Sequence, residues 1–364
     1  MTTTTTAAVL RSTDGAYSLE SVMLRDLRGD EVLVRVVGVG MCHTDVLPRG
    51  EDFLAPPPIV PGHEGAGVVE AVGADVTGIA VGDHVVLSFD SCRQCANCQA
   101  GQPAYCDTFF VRNLFGRELD GSSSATDANG ADVATRWFGQ SSFAGRCIAT
   151  ARNTVVVDRS LPLELLGPLG CGIQTGAGSI LCALDVQPGE SVAVFGAGAV
   201  GLAAVMAARV AGANPIIAVE LHEQRRALAL ELGATHVIAG DAPDVVEQIH
   251  ALTDGGVQYS FDTTGLPGVV RTALAATRMT GTLGMVGAQQ GNLELEALDT
   301  VGKTMVGILE GSADPQTFIP RMIELWRAGE FPFDRLVEQF PLERIDEAEQ
   351  ASLTGRVIKP VLIP

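Results

Sequence analysis

Positive charge is what this sequence has least of. Lys and Arg together number 24 against 43 Asp and Glu, a formal net charge of −19. Nucleic acid and anionic membrane surfaces both demand a basic face, so neither is expected as a partner. The acidic balance itself serves solubility. The stretch Met1–Val9 has no basic segment and no apolar run long enough for export, so a cytoplasmic location is expected. A membrane span is also missing. The most apolar stretch, Ser191–Ala208, is uncharged until its end, but three spaced glycines divide it into a buried strand and a crossover helix. There is no internal repeat, and the only low-complexity run is the Thr tract at 2–6.

The remaining composition is that of a globular protein, 46% hydrophobic and 18% charged. At 364 residues the chain exceeds what one hydrophobic core usually serves, so two domains are expected. The 42 glycines suit a chain with many tight turns and a nucleotide loop. Eight cysteines in a reducing compartment point to metal binding rather than disulfides.

The pattern along the chain changes once. Glu31–Val37, Gly67–Val72 and Asp83–Leu87 read as short strands between glycine turns, followed by a Cys-rich lobe at 92–106. The polar, turn-rich segment Asp120–Gly130 is expected to be an exposed loop, and β structure resumes to about residue 157. From about 173 to 312 strands alternate with helices. Ser191–Phe195, Ile216–Glu220, His236–Ile238, Tyr259–Asp262 and Gly284–Val286 read as strands, and Val200–Ala211 and Glu223–Leu232 as helices. That rhythm is the α/β signature of a doubly wound parallel sheet. An amphipathic helix at Pro315–Ala328 and a final strand at Val357–Ile363 close the chain.

Two kinds of motif carry chemistry. Residues 191–201 read SVAVFGAGAVG, which sets Gly196, Gly198 and Gly201 in G-x-G-x-x-G between a strand and a helix. The first glycine permits the turn, the second lets backbone approach a pyrophosphate, and the third lets the helix pack on the sheet. The helix start, with Ala199 and Val200, offers free N–H groups and partial positive charge to phosphates. Glu220 ends the next strand at the distance where an acidic residue binds the ribose hydroxyls of NAD and repels the extra phosphate of NADP. Arg225 is placed to stack or pair near the adenosine, or else is a solvated helix residue.

The second kind is metal chemistry. Cys92, Cys95, Cys98 and Cys106 are spaced C-x2-C-x2-C-x7-C, so that four thiolates can close a tetrahedral zinc shell. An iron–sulfur cluster uses similar spacing, but the long last gap and the lack of a following Pro favour zinc. A closed four-Cys shell has no vacant position and is structural. Cys42, His63 and Cys171 are far apart in sequence, in GMCHTD, PGHEGAG and GPLGCGIQTG. Two thiolates and one imidazole leave a fourth zinc position open, which is the ligand set known for alcohol dehydrogenase.

With these motifs in this order, the chain resembles the zinc-containing medium-chain alcohol dehydrogenase family over nearly its whole length. Within the family, VLSFDSC, AYCDTFF, GRELDGSSS and LELLGPLGCGIQTGAG are most similar to bacterial aryl-alcohol (benzyl-alcohol) dehydrogenases. The resemblance implies a GroES-like β-rich catalytic domain at 1–172 and 313–364 and a Rossmann NAD-binding domain at 173–312, with the reaction in the cleft between them. It implies two zinc ions per subunit, the catalytic one on Cys42, His63 and Cys171, and NAD as cofactor. Glu64 would be a nearby carboxylate that binds zinc transiently, Asp45 would orient His63, and Thr44 would hydrogen-bond the alcohol. His43, Thr175 and Lys359 would be further cofactor contacts. Phe143, with Phe89 and Phe109 or Phe110 near it, would wall the substrate pocket. Leu47 stands where many members end a proton relay in His. Cys147 and Cys182 are expected to be small buried apolar residues.

The expected substrate is a primary aromatic or allylic alcohol, oxidised reversibly to the aldehyde. Aliphatic or terpenoid alcohols are the alternative, and a zinc-free quinone-reductase-like or non-catalytic relative a more distant one. A homodimer or homotetramer is the expected assembly.

Overall fold

The computed structural model describes residues 3–51 and 53–364. Met1 and Thr2, which enter the reading of the first nine residues, lie outside them. The chain divides into two units. The first comprises residues up to Cys171 together with Asp314–Pro320 and Asp334–Pro364, and the second comprises Gly172–Ala313 with Arg321–Phe333. The division thus falls at 171/172 and 313/314, but Arg321–Phe333 joins the second unit rather than the first.

The first unit is built on β-sheet. Strand Glu31–Gly40 is its centre, because EVLVRVVGVG is rich in β-branched valine and buried on both faces except near Arg35. It pairs antiparallel with Glu64–Val72, Arg146–Thr150 and Lys359–Ile363. Its sheet continues through His84–Leu87 to Thr154–Val157 on one side and ends at Val337–Pro341 on the other. A four-stranded antiparallel sheet joins Thr3–Leu10, Tyr17–Leu24, Ala125–Thr126 and Asp132–Val133. This corrects the reading of 120–130 as wholly exposed. Ser124, Ala125 and Asp127 are buried there, because Ala125 pairs with Leu24 and Asp127 is tied to Arg11.

The second unit is a six-stranded parallel sheet in the order His236–Ala239, Ile216–Glu220, Val192–Phe195, Val257–Asp262, Thr277–Met285, Thr304–Gly307. The order reverses beside Val192–Phe195, which is where a doubly wound sheet opens a ligand crevice. Helices Ala199–Ala211, Glu223–Leu232, Val245–Thr253 and Pro267–Ala276 are the crossovers. Phe195, Ile217, Val219, Ile249, Val270 and Leu283 form part of its core. Ser191–Ala208 resolves into the expected strand and helix, and among the described residues no single helix is long and apolar enough to cross a membrane.

Candidate metal centres and dinucleotide turn

In the first unit, Cys42, His63 and Cys171 converge. Cys42 ends the approach to the 3-10 turn His43–Arg49, His63 precedes strand Glu64–Val72, and Cys171 follows the turn Gly167–Gly170. Their donor atoms all lie within 4.8 Å of one another. Asp45 organises the group. Its Oδ1 accepts from His63 Nδ1 at 2.7 Å and from Gly62 N–H at 3.0 Å, and its Oδ2 accepts from Cys42 N–H at 3.0 Å. With its proton on Nδ1, the imidazole carries its lone pair on Nε2. That atom is buried without a hydrogen-bond partner among the described residues. A buried imidazole nitrogen facing two thiols is a metal donor site, and the residues fit a zinc ion with one open position. The hydrogen bond with Cys171 holds the Cys42 thiol well below its ordinary range against the effect of burial, which favours the thiolate that a metal needs.

Glu64 follows His63 and is fully buried. Burial pushes its carboxyl up, and Lys359 opposes the shift. Lys359 Nζ donates to both Glu64 oxygens at 2.9 Å and to Met41 O at 3.0 Å. All three ammonium protons therefore have protein acceptors, and the residue is 2% exposed. The pairing with Glu64 is a contact that the sequence did not announce. Thr44 Oγ1 lies 3.7 Å from Cys42 Sγ, and His43 is exposed. Leu47 is half-buried on the same turn.

The expected aromatic wall needs correction. Phe143 is fully buried, edge-on to Tyr17 at 6.3 Å and packed on Gly62, so it braces the turn before His63 and has no face left for a substrate. Phe89 is likewise buried, tilted against Phe109 at 5.7 Å. Phe110 is exposed. The aromatic rings nearest the metal donors are ones the sequence reading did not single out. Phe138 stacks on the His63 ring at 4.3 Å, and Trp137 meets it edge-on at 6.5 Å, with Phe53 beyond. Their only signal was three aromatics within ten residues of the segment that includes Phe143.

The second centre is Cys92, Cys95, Cys98 and Cys106, whose sulfurs also fall within 4.8 Å. Cys92 and Cys98 sulfurs are 3.9 Å apart, close to the edge of about 3.8 Å that a tetrahedron with Zn–S near 2.3 Å requires. Backbone N–H groups of Gln94 and Cys95 point at Cys92 Sγ at 3.4 and 3.2 Å, and that of Cys92 at Cys106 Sγ at 3.2 Å. Such bonds lower the Cys92 thiol, while burial pushes Cys98 up to about 12. Of the remaining cysteines, Cys147 is buried as expected and Cys182 is not; it lies exposed.

In the second unit the glycine turn has the geometry its motif requires. Gly196 has φ +92°, and a Cβ on Gly201 would strike Gly196 O at 1.8 Å. The space over Gly198 is clear of protein. Gly198 caps helix Ala199–Ala211, whose first residues, Ala199 and Val200, are half-buried. A cavity of about 360 Å³ opens here, lined by Gly196, Gly198, Glu220, His222, Arg225 and Thr264 among others. Glu220 Oε2 accepts from Ala197 N–H at 2.7 Å and Oε1 from His222 N–H at 2.9 Å, so the acidic residue also braces the turn. Arg225 is half-buried at the cavity, and Thr175 is half-buried on helix Gly172–Gly178.

A β-rich unit with an open three-donor metal site and a closed four-thiol site, in one chain with a parallel-sheet dinucleotide unit, defines a zinc-binding dehydrogenase. Residues 28–159 match the alcohol dehydrogenase GroES-like domain and residues 199–327 the zinc-binding dehydrogenase domain. The chain belongs to the zinc-binding medium-chain alcohol dehydrogenase family. It is 48% identical over 362 residues to geraniol dehydrogenase of Castellaniella defragrans, covering 98% of this chain and 97% of that protein. Among solved structures, an alcohol dehydrogenase zinc-binding domain protein from Burkholderia ambifaria is 49% identical, with a TM-score of 0.97 and full coverage of both chains. Benzyl alcohol dehydrogenase from Acinetobacter calcoaceticus is 43% identical, with a TM-score of 0.95 and 99% coverage of each.

Proposed function

We propose that this protein oxidises primary aromatic or allylic alcohols to aldehydes, reversibly, with NAD as the hydride acceptor. The observation that carries the reading is the buried, unpartnered Nε2 of His63 facing Cys42 and Cys171. A zinc ion held by these three residues would acidify an alcohol hydroxyl and polarise a carbonyl. Thr44, whose Oγ1 lies 3.7 Å from Cys42 Sγ, would accept a hydrogen bond from the alcohol hydroxyl, and Asp45 keeps His63 in its metal-binding tautomer. Cys92, Cys95, Cys98 and Cys106 would hold a second, structural zinc.

The preference for NAD rests on the Glu220 carboxylate at the cavity beside the glycine turn, where the extra phosphate of NADP would meet like charge. The substrate class rests on the relatives whose names specify benzyl alcohol and geraniol. Both alcohols carry the hydroxyl on a carbon attached to an unsaturated one, so oxidation gives a conjugated aldehyde. The test is kcat/KM with NAD for benzyl alcohol, geraniol, ethanol and sorbitol under one condition. Either of the first two should lead; a win for ethanol or sorbitol rejects the substrate class while leaving the zinc dehydrogenase chemistry intact. If geraniol leads benzyl alcohol, the terpenoid reading is the better one.

A further inference from the structure

The segment Trp137–Phe143 is wound more tightly than its surroundings. Phe138, Gly139 and Ser141 all have positive φ, at 49°, 67° and 50°. Two of these are not glycine, and such a conformation persists only where surrounding bonds over-determine it. Those bonds are present. Ser141 Oγ accepts from Trp137 N–H at 2.9 Å, and Trp137 O accepts from the N–H groups of Gln140 and Ser141 at 3.1 and 3.0 Å.

What the winding achieves is a grip on the residues around His63. Ser142 N–H donates to Gly62 O at 2.8 Å and Phe143 N–H to Pro61 O at 3.1 Å. The fully buried Gln140 donates through Nε2 to His63 O at 2.9 Å and accepts from Gly65 N–H at 3.1 Å. Phe138 stacks on the imidazole, with 22° between the planes. The remaining contact is polar: the fully buried Trp137 donates its indole N–H to Asp45 Oδ1 at 3.1 Å. This is the same oxygen that accepts from His63 Nδ1.

We propose that Trp137 is a positioning residue for the catalytic metal, acting through Asp45; the inference rests on the reading of Cys42, His63 and Cys171 as zinc ligands. A carboxylate holding both His63 and Cys42 must keep one plane, since rotating toward either donor pulls it from the other. Backbone N–H groups of Gly62 and Cys42 fix it from two sides, and the indole fixes it from a third. Without the indole N–H, the carboxylate can tilt and the imidazole can turn its Nε2 away from the two sulfurs. Partners bonded directly to a metal-ligating His, as Asp45 is, typically change metal affinity by about 10–100-fold, and the indole acts through that partner.

The experiment uses the holoenzyme and two changes at position 137. Trp137→Phe removes the N–H and keeps a ring, and a benzothienylalanine at 137, in a Trp326→Phe background, removes the N–H at unchanged shape. Zinc release into a chelator is followed for both metals of each subunit, so the four-cysteine site serves as an internal control. Both variants should release the catalytic zinc at least tenfold faster while the four-cysteine zinc leaves at the wild-type rate. Cobalt substituted at the catalytic site should show a shifted visible spectrum, and kcat should fall with little change in KM for the dinucleotide. Unchanged release of the catalytic metal in the benzothienylalanine protein overturns the proposal, and so does equal acceleration at both sites. Metal release does not depend on which alcohol is turned over, so failure of the substrate assignment and failure of this inference are separable.

Discussion

Lys359 and Glu64 form a buried ion pair beside the cluster of Cys42, His63 and Cys171, with the ammonium in contact with both carboxylate oxygens at 2.9 Å. Neither side chain is more than 3% exposed. Removing one partner strands the other charge in a desolvated site, which typically costs about 3–5 kcal/mol. Lys359→Met should therefore destabilise the protein strongly. Adding Glu64→Gln should recover much of the loss, because the stranded charge is gone. Thermal unfolding of the two single variants and the double variant checks this; additive losses would mean that the pair is not coupled.

The two metal centres should respond differently to loss of a ligand. Zinc at a closed four-thiolate site contributes directly to folding, with apparent binding free energies of about 10–16 kcal/mol in small domains. Cys98→Ala should lower both zinc content and thermal stability. Cys171→Ala should abolish activity and remove one zinc while leaving the unfolding temperature close to wild type. Elemental analysis and calorimetry on the same samples decide it, and fewer than two zinc ions in fully active wild-type enzyme would refute the two-centre assignment.

These two centres were not equally legible in the sequence. The four cysteines lie within fifteen residues, so spacing alone brings them together. Cys42, His63 and Cys171 meet only after the sheet has folded, and family resemblance rather than spacing marked them. The glycine turn was legible in full, because each glycine answers a local demand: positive φ at Gly196, helix contact at Gly201 and open space over Gly198. Strands Ile216–Glu220 and Val192–Phe195 were readable from their β-branched runs. Of Thr277–Met285 only the end was read, as Gly284–Val286, because its first half, TRMTG, is polar and mostly exposed. The burial of Phe143 and the ion pair of Lys359 were missed for one reason. Resemblance fixes a residue type at a position, whereas packing against Gly62 and pairing with Glu64 decide which way the side chain is spent.

Glu220 should set the cofactor preference through its charge. Its two oxygens already accept backbone N–H groups of Ala197 and His222, so Glu220→Ala would confuse loss of charge with loss of the turn's support. Glu220→Gln keeps an acceptor and removes the charge. The ratio of kcat/KM for NADP over NAD should rise by roughly tenfold, the equivalent of about 1.4 kcal/mol. An unchanged ratio would show that the carboxylate does not exclude the phosphate.

Acid should unfasten a second buried carboxylate. Glu31 is 2% exposed, and Arg25 grips both of its oxygens at 2.7 Å. Burial pushes the carboxyl up, but Arg25 and the Arg28 N–H outweigh it and hold the group below the ordinary glutamate range. A carboxyl lowered in the folded state contributes stability that is fully present above its unfolded pKa of about 4.3 and is lost as pH falls through the folded value. Glu31→Gln should cost roughly 1–3 kcal/mol at pH 7. The gap from wild type should close progressively below about pH 4. A gap that stays constant from pH 7 to pH 3 would contradict the assignment.

Gly62 tests how closely the turn before His63 is fitted. Its φ is +87°, in the region that costs an L-residue roughly 1–2 kcal/mol. A Cβ there would meet Phe143 Cδ1 and Phe143 N, each at 2.5 Å. Overpacking of that kind adds about 1–3 kcal/mol. Gly62 also donates its N–H to Asp45, so a shifted turn would disturb the carboxylate that orients His63. Gly62→Ala should therefore lower the unfolding temperature and the catalytic zinc content together. Adding Phe143→Ala removes the ring contact but leaves the backbone N contact and the φ strain. The double variant should then be less destabilised than the sum of the two single changes, without reaching wild type. Calorimetry and metal analysis on the three variants measure this. If Gly62→Ala is as stable and as zinc-replete as wild type, the turn has slack that the contacts around Phe143 do not allow.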